Sequence, residues 1–158
     1  MHSELANGEG KVGGFSSCVP AFLRNLWRPK KSPEHLRSGV RGEKAAGRFL
    51  RQNGYKVLYR NFKGRSGGEI DIVCRDKDTL VFVEVKTRGS ERFGRPFEAI
   101  RPDQQKRISR GALAWLRMLD NPDILFRFDV VEVIFAENAK PQFELIKNAF
   151  QLSAPYIY

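Results

Sequence analysis

An α/β fold with a mixed central sheet and helices on both faces follows from three features of this 158-residue sequence. The stretches Gly68–Cys74 and Thr79–Thr87 are aliphatic and β-branched, with the polar turn Arg75-Asp76-Lys77-Asp78 between them, so they read as a hairpin. The run Arg127–Phe135 is nearly all apolar, as expected of a central strand covered on both sides. A helical pattern over Pro102–Asp120 precedes it, which makes that strand the parallel return of a right-handed crossover.

Taken in order, residues 1–37 read as a flexible basic extension. Its first 14 residues are Gly-rich and polar, and Cys18–Trp27 is a short amphipathic patch followed by Arg28-Pro29-Lys30-Lys31. It is read as a variable extension, a nucleic-acid arm or a partner-docking tail. A domain over residues 38–150 follows, with 151–158 as a C-terminal tail. Its first helix starts near Ser38, an N-cap type, and stops at Asn53-Gly54. Val40, Glu43, Ala46, Gly47 and Leu50 give its helical stripe, placing Glu43 at the edge of the core. Tyr55–Phe62 is the first strand. The loop Lys63-Gly64-Arg65-Ser66-Gly67-Gly68 lets backbone approach a ligand, with Arg65 placed to meet phosphate. In the second helix Ile108, Ala112, Leu116 and Leu119 form the apolar stripe, flanked by Leu113 and Trp115, and Arg107, Arg110 and Arg117 form a ridge. A last strand spans Gln142–Ile146, and Asn148-Ala149-Phe150 ends the domain.

The hairpin carries the chemistry. Side chains alternate faces along a strand, so Glu69, Asp71 and Val73 share a face of the first arm, and Glu84 and Lys86 share a face of the second. With residues 76–79 as the loop, Asp71 stands opposite Glu84 and Glu69 opposite Lys86. Opposed side chains sit roughly 5 Å apart at Cβ. Two carboxylates that close repel unless one is protonated or a cation lies between them. Mg²⁺, which accepts one or two carboxylates and keeps its waters, answers that requirement, with Lys86 beside it. The other reading is a solvated hairpin face on which Glu69 and Lys86 pair as surface charges.

The chain carries a net charge of +10 and a pI of about 9.9, and residues 38–158 keep 22 basic against 15 acidic side chains. Such a balance favours polyanionic partners, nucleic acid first among them. Arg88, Arg92 and Arg95 surround Phe93-Gly94 in a further loop that suits phosphate pairing and base stacking. Cys18 and Cys74 offer neither a disulfide framework nor zinc spacing, and Cys74 reads as a buried apolar residue. His2 and His35 form no ligand cluster. No apolar stretch nears the ~20 residues of a membrane helix, and no secretory leader is evident, so a cytoplasmic protein is expected.

GEKAAGRFL, NGY, RNF, GGEIDIV, VFVEVKTR, FG-P-EAI, RFDVV and the final NAF, in that order over residues 38–150, resemble the YraN family of bacterial proteins. That family is similar to archaeal Holliday-junction resolvases and belongs to the PD-(D/E)XK nuclease-like superfamily. The resemblance implies the restriction-endonuclease-like fold and metal-dependent hydrolysis of a phosphodiester in DNA, at branched or distorted structures. It implies Asp71, Glu84 and Lys86 as the catalytic core, with one or two Mg²⁺ or Mn²⁺ ions on Asp71 and Glu84. Glu43 would add a first-helix ligand, and Glu69 would orient a ligand or water. Gln105, Lys106 and Arg107 match part of the family's Lys/Gln/Arg cluster, and Arg110 continues that basic surface. Asp103 and Gln104 stand where the family commonly has lysines, and an acid beside phosphate repels it. Junction resolvases act in pairs, so a homodimer remains open, although no residue marks a two-fold surface. The alternative is a nucleic-acid-binding protein that retains the fold without cutting.

Overall fold

The computed structural model describes residues 34–65, 67–89, 100–136 and 139–152. Two helices and five strands follow one another as α1 (Glu34–Gln52), β1 (Lys56–Lys63), β2 (Glu69–Asp76), β3 (Thr79–Gly89), α2 (Pro102–Met118), β4 (Phe126–Phe135) and β5 (Gln142–Phe150). The strands form one sheet in sequence order, β1-β2-β3-β4-β5. The β1-β2, β2-β3 and β4-β5 pairs are antiparallel, whereas β3 and β4 run parallel with α2 as the crossover between them. The predicted mixed α/β sheet and its parallel return are therefore present.

The two helices cover opposite faces. Ala45, Ala46 and Leu50 of α1 pack on Ile72, Cys74, Val81, Val83, Val131 and Val133. Glu84, next along β3 and pointing the other way, is approached by Arg107 of α2. On that second face Trp115 meets the rings of Tyr59 and Phe62 at centroid distances of 5.5 and 5.1 Å. Burial pushes the Cys74 thiol up to about 12, so it behaves as the small apolar residue expected. No helix among the described residues is long and apolar enough to cross a membrane.

Four local expectations need correction. The first helix starts at Glu34, four residues ahead of Ser38, so residues 34–37 of the proposed extension are helical. Val40 is 56% exposed, not part of the buried stripe of α1. The stripe runs instead through Gly42, Ala45, Ala46, Phe49 and Leu50, because Gly42 lets the helix backbone come against Thr87, where a Cβ would overlap the threonine hydroxyl. Leu119 is only half-buried; it caps α2, its N–H bonding Leu116 O at 3.0 Å. The last strand does not stop at Ile146. Asn148, with φ of 51°, forms an irregular step, and its N–H is taken up by Asp129 Oδ1 at 2.9 Å. Phe150 can then pair with Phe128, ring on ring at 4.5 Å. Asp129 is fully buried and also receives Arg127 Nε at 2.9 Å, so its role is structural.

Candidate functional site

The hairpin between β2 and β3 closes with Asp76 paired to Thr79, and Lys77 takes a left-handed φ of 53°. From there the ladder runs to Ile72 and Val83. One step further stand Asp71 and Glu84, the predicted juxtaposition. There the strands stop exchanging backbone hydrogen bonds. Asp71 Oδ2 accepts the Val85 N–H at 2.7 Å, taking the place of a strand carbonyl. On the outer sides pairing continues, β2 with β1 as far as Lys63–Glu69 and β3 with β4 as far as Gly89–Phe135. The sheet thus parts between β2 and β3 at the point where the acidic residues begin.

Burial raises the Asp71 carboxyl to about 7, and the Glu84 carboxylate adds to the shift, with smaller contributions from Glu43 and Glu69. The Val85 N–H works in the opposite direction. Glu43 reaches the same region from α1. Burial raises its pKa too, opposed by a hydrogen bond from the Asn61 side chain and by the Arg60 charge, while Glu84 and Glu69 add to the rise. Its Oε2 is buried and has no hydrogen-bond partner among the described residues.

Lys86 and Arg107 bring cations to Glu84 and Glu69. Lys86 Nζ lies 3.0 Å from Glu84 Oε1. Arg107 places NH1 3.2 Å from Glu69 Oε1 and NH2 4.0 Å from Glu84 Oε1. Arg107 is held there by close backbone packing. A Cβ on Gly68 would come within 2.8 Å of Arg107 O and would overlap Gly111 N, and one on Gly111 would lie 3.1 Å from the Glu69 backbone. Only glycines on both sides let the loop before β2 lie directly on α2. Glu69 and Lys86 do not pair with each other: Glu69 turns to Arg107 and, at 3.9 Å, to exposed Lys63.

The remaining predicted residues divide. Arg65, Lys106 and Arg110 are exposed around the same loop and helix. Gln105 donates its amide to Ile100 O at 2.8 Å, fixing the entry to α2. Arg88 is not a loop residue: β3 continues through Gly89, so Arg88 faces β4 and meets the buried Glu132 at 3.1 Å. Arg92, Arg95 and Ser66 lie outside the described residues, as do residues 1–33 of the proposed extension and 153–158 of the tail. Asn61 was not anticipated. It holds φ of 55° inside β1, a conformation Asn tolerates better than most residues, and so turns its amide to Glu43. An asparagine amid strand formers in Tyr59-Arg60-Asn61-Phe62 was the available signal.

Among the described residues no group of three or more His, Cys, Asp or Glu side chains is arranged to hold a metal ion. A two-carboxylate site of the kind Mg²⁺ uses does not need three. The Asp71 carboxyl, raised by burial and by the neighbouring Glu84 charge, and the unpartnered Glu43 oxygen fit such an ion in charge and donor type.

The profile of the uncharacterised protein family UPF0102 matches residues 42–133, a span that holds Glu43, Asn61, Glu69, Asp71, Glu84, Lys86 and Arg107. Among similar proteins are UPF0102 proteins of Geobacter sulfurreducens, 47% identical over 115 residues, and Geobacter metallireducens, 48% identical over 115. Each alignment covers 73% of this chain, and 89% and 93% of the respective relative. A UPF0102 protein of Symbiobacterium thermophilum is 45% identical over 114 residues, 72% of this chain and 96% of its own length. This chain belongs to the uncharacterised protein family UPF0102, the YraN family.

Proposed function

We propose that this protein hydrolyses phosphodiester bonds in DNA with a divalent cation, on a PD-(D/E)XK, restriction-endonuclease-like fold. The observation that carries the reading is the parting of β2 and β3, which leaves Asp71 and Glu84 side by side with Lys86 on the same strand face as Glu84. The order α1-β1-β2-β3-α2-β4, with an antiparallel hairpin and a parallel return, supports the fold assignment.

Asp71 and Glu84, with Glu43 alongside, would hold one or two Mg²⁺ or Mn²⁺ ions. Such an ion lowers the pKa of a bound water and neutralises charge on phosphate. The chain's own groups divide the remaining work. Asp71 is anchored through Oδ2 to Val85 N–H, which leaves Oδ1 for the site. The Lys86 ammonium orients the attacking water and stabilises the charge that develops on the phosphate. Glu69 orients a ligand or water. Lys106, Arg110 and Arg65 supply sequence-independent contacts to neighbouring phosphates.

Binding without cleavage is the second reading. It is favoured by one observation: Glu84 already has Lys86 at 3.0 Å and Arg107 at 4.0 Å as counter-charges. Labelled linear, flapped and four-way DNA and matching RNA, incubated with Mg²⁺ or Mn²⁺, decide between them. Cleavage that is lost in Asp71→Ala, Glu84→Ala and Lys86→Ala supports hydrolysis. Salt-sensitive binding with no cleavage by the wild type supports the second reading.

A further inference from the structure

Arg107 reaches from α2 to the acids at the parted strands. Its NH1 and NH2 lie toward Glu69 and Glu84, yet its Nε is buried and has no acceptor among the described residues. A guanidinium offers five donors in a fixed fork, matched to two oxygens of a carboxylate or of a phosphate. Here the fork is only half used: one contact is short, the second is at the edge of ion-pair range, and a third donor is left over. Its backbone cannot retreat, because Gly68 and Gly111 fix that turn of α2 against the loop. The side chain is the part free to change partner, and it is partly exposed, with 41% of its surface open.

We infer that Arg107 is an exchangeable counter-ion that couples metal binding to phosphate binding. This rests on the proposed metal site. In the metal-free protein Arg107 neutralises Glu69 and Glu84. A divalent cation on the acids takes over that role, and the guanidinium turns to a phosphate oxygen of the nucleic acid. Arg107 therefore competes with the cation when no nucleic acid is present. It contributes to nucleic-acid affinity only when the cation is bound. A residue that merely touched phosphate would contribute equally in both states, and one that merely held the fold would affect neither preferentially. Coupling of this kind is reciprocal and typically spans about 5- to 150-fold.

Two affinities test it in purified full-length protein. One is Mn²⁺ binding without DNA, read by calorimetry. The other is binding of a fluorescent DNA duplex, in EDTA and in Ca²⁺. For Arg107→Ala the expected result is Mn²⁺ binding tighter by on the order of tenfold. Its DNA affinity should match the wild type in EDTA and fall by a similar factor in Ca²⁺. Equal loss of DNA affinity in both buffers with unchanged Mn²⁺ binding makes Arg107 an ordinary phosphate contact and overturns the exchange. Absence of Mn²⁺ binding in the wild type and the variant alike overturns the metal site, and the exchange with it. Wild-type binding that Arg107→Ala leaves unaltered overturns the exchange alone. Glu69→Gln gives a second route if Arg107→Ala fails to fold. By releasing NH1 it should strengthen DNA binding in EDTA, and the gain should vanish in the Glu69→Gln, Arg107→Ala double variant if that folds. No gain in Glu69→Gln overturns the exchange.

Discussion

Asp71→Asn separates the charge of this side chain from its hydrogen bond, since an amide oxygen can still accept the Val85 N–H. The folded carboxyl titrates at about 7 and the free one near 3.8, so between those values the folded state holds a proton that the unfolded state has released. Stability from this group is therefore complete below about pH 4 and is lost as pH rises through 7. A separation of about three units corresponds to roughly 4 kcal/mol as a ceiling. Because the Glu84 charge supplies only part of the Asp71 shift and the site is partly open, about half, ~2 kcal/mol, is the working figure. For a domain of this size that is a Tm loss of about 10 °C. Melts in EDTA from pH 4.5 to 8.5 should show wild type and Asp71→Asn together at the acid end. The variant should gain on the wild type as pH rises from about 4 to about 7, and the gap should then level off. Mn²⁺ at pH 8 should restore the wild type, by ligand linkage, and leave the variant unmoved. Parallel Tm curves across the whole range would mean that Asp71 and Glu84 do not burden one another, and the electrostatic case for the site would fall.

Asn61→Gly relieves the left-handed backbone and removes the amide that holds Glu43, so Tm should hold or rise while calorimetry shows weaker Mn²⁺ binding. Gly67→Ala and Gly68→Ala both place a Cβ at positive φ, but only Gly68 faces α2 backbone. Denaturant melts should show a cost of about 1 kcal/mol at Gly67 and upwards of about 3 kcal/mol at Gly68. Asp129→Ala leaves Arg127 with Asp76 as its remaining carboxylate and leaves the Asn148 N–H without its acceptor, and about 1–3 kcal/mol of stability should be lost in the same melts.

How far the sequence revealed this molecule depended on whether a pattern was local. The hairpin register was readable because a short polar turn and period-two alternation leave little freedom over which residues oppose. The crossover strand was readable because only a strand covered on both faces stays apolar for so long. What failed involved contacts between distant segments. Val40 obeys the helical spacing, but Gly42 sets how the helix actually lies, and that depends on Thr87. Arg88 resembled its loop neighbours until Glu132, in another strand, gave it a partner. Arg107 was legible as a basic residue on a helix. Its attachment to Glu69 and Glu84 was not, since that follows from Gly68 meeting Gly111 across the fold.

One break in the hydrogen-bond ladder organises the whole candidate site. An uninterrupted β2-β3 pair would satisfy Val85 N–H from a strand carbonyl and seal the space that the acids share. Because β2 stays with β1 while β3 stays with β4, the middle of the sheet opens, and a carboxylate from β2 fills the vacancy in the ladder. That single substitution of Asp71 for backbone buries a charge and brings it under the influence of Glu84. The opening is also what both helices reach, Glu43 from one face and Arg107 from the other. The same opening that costs the fold stability would give the proposed cation access to acids from both faces of the sheet. The stability penalty and the proposed binding site are thus two consequences of one geometric fact, and a variant that closed the ladder should remove both together.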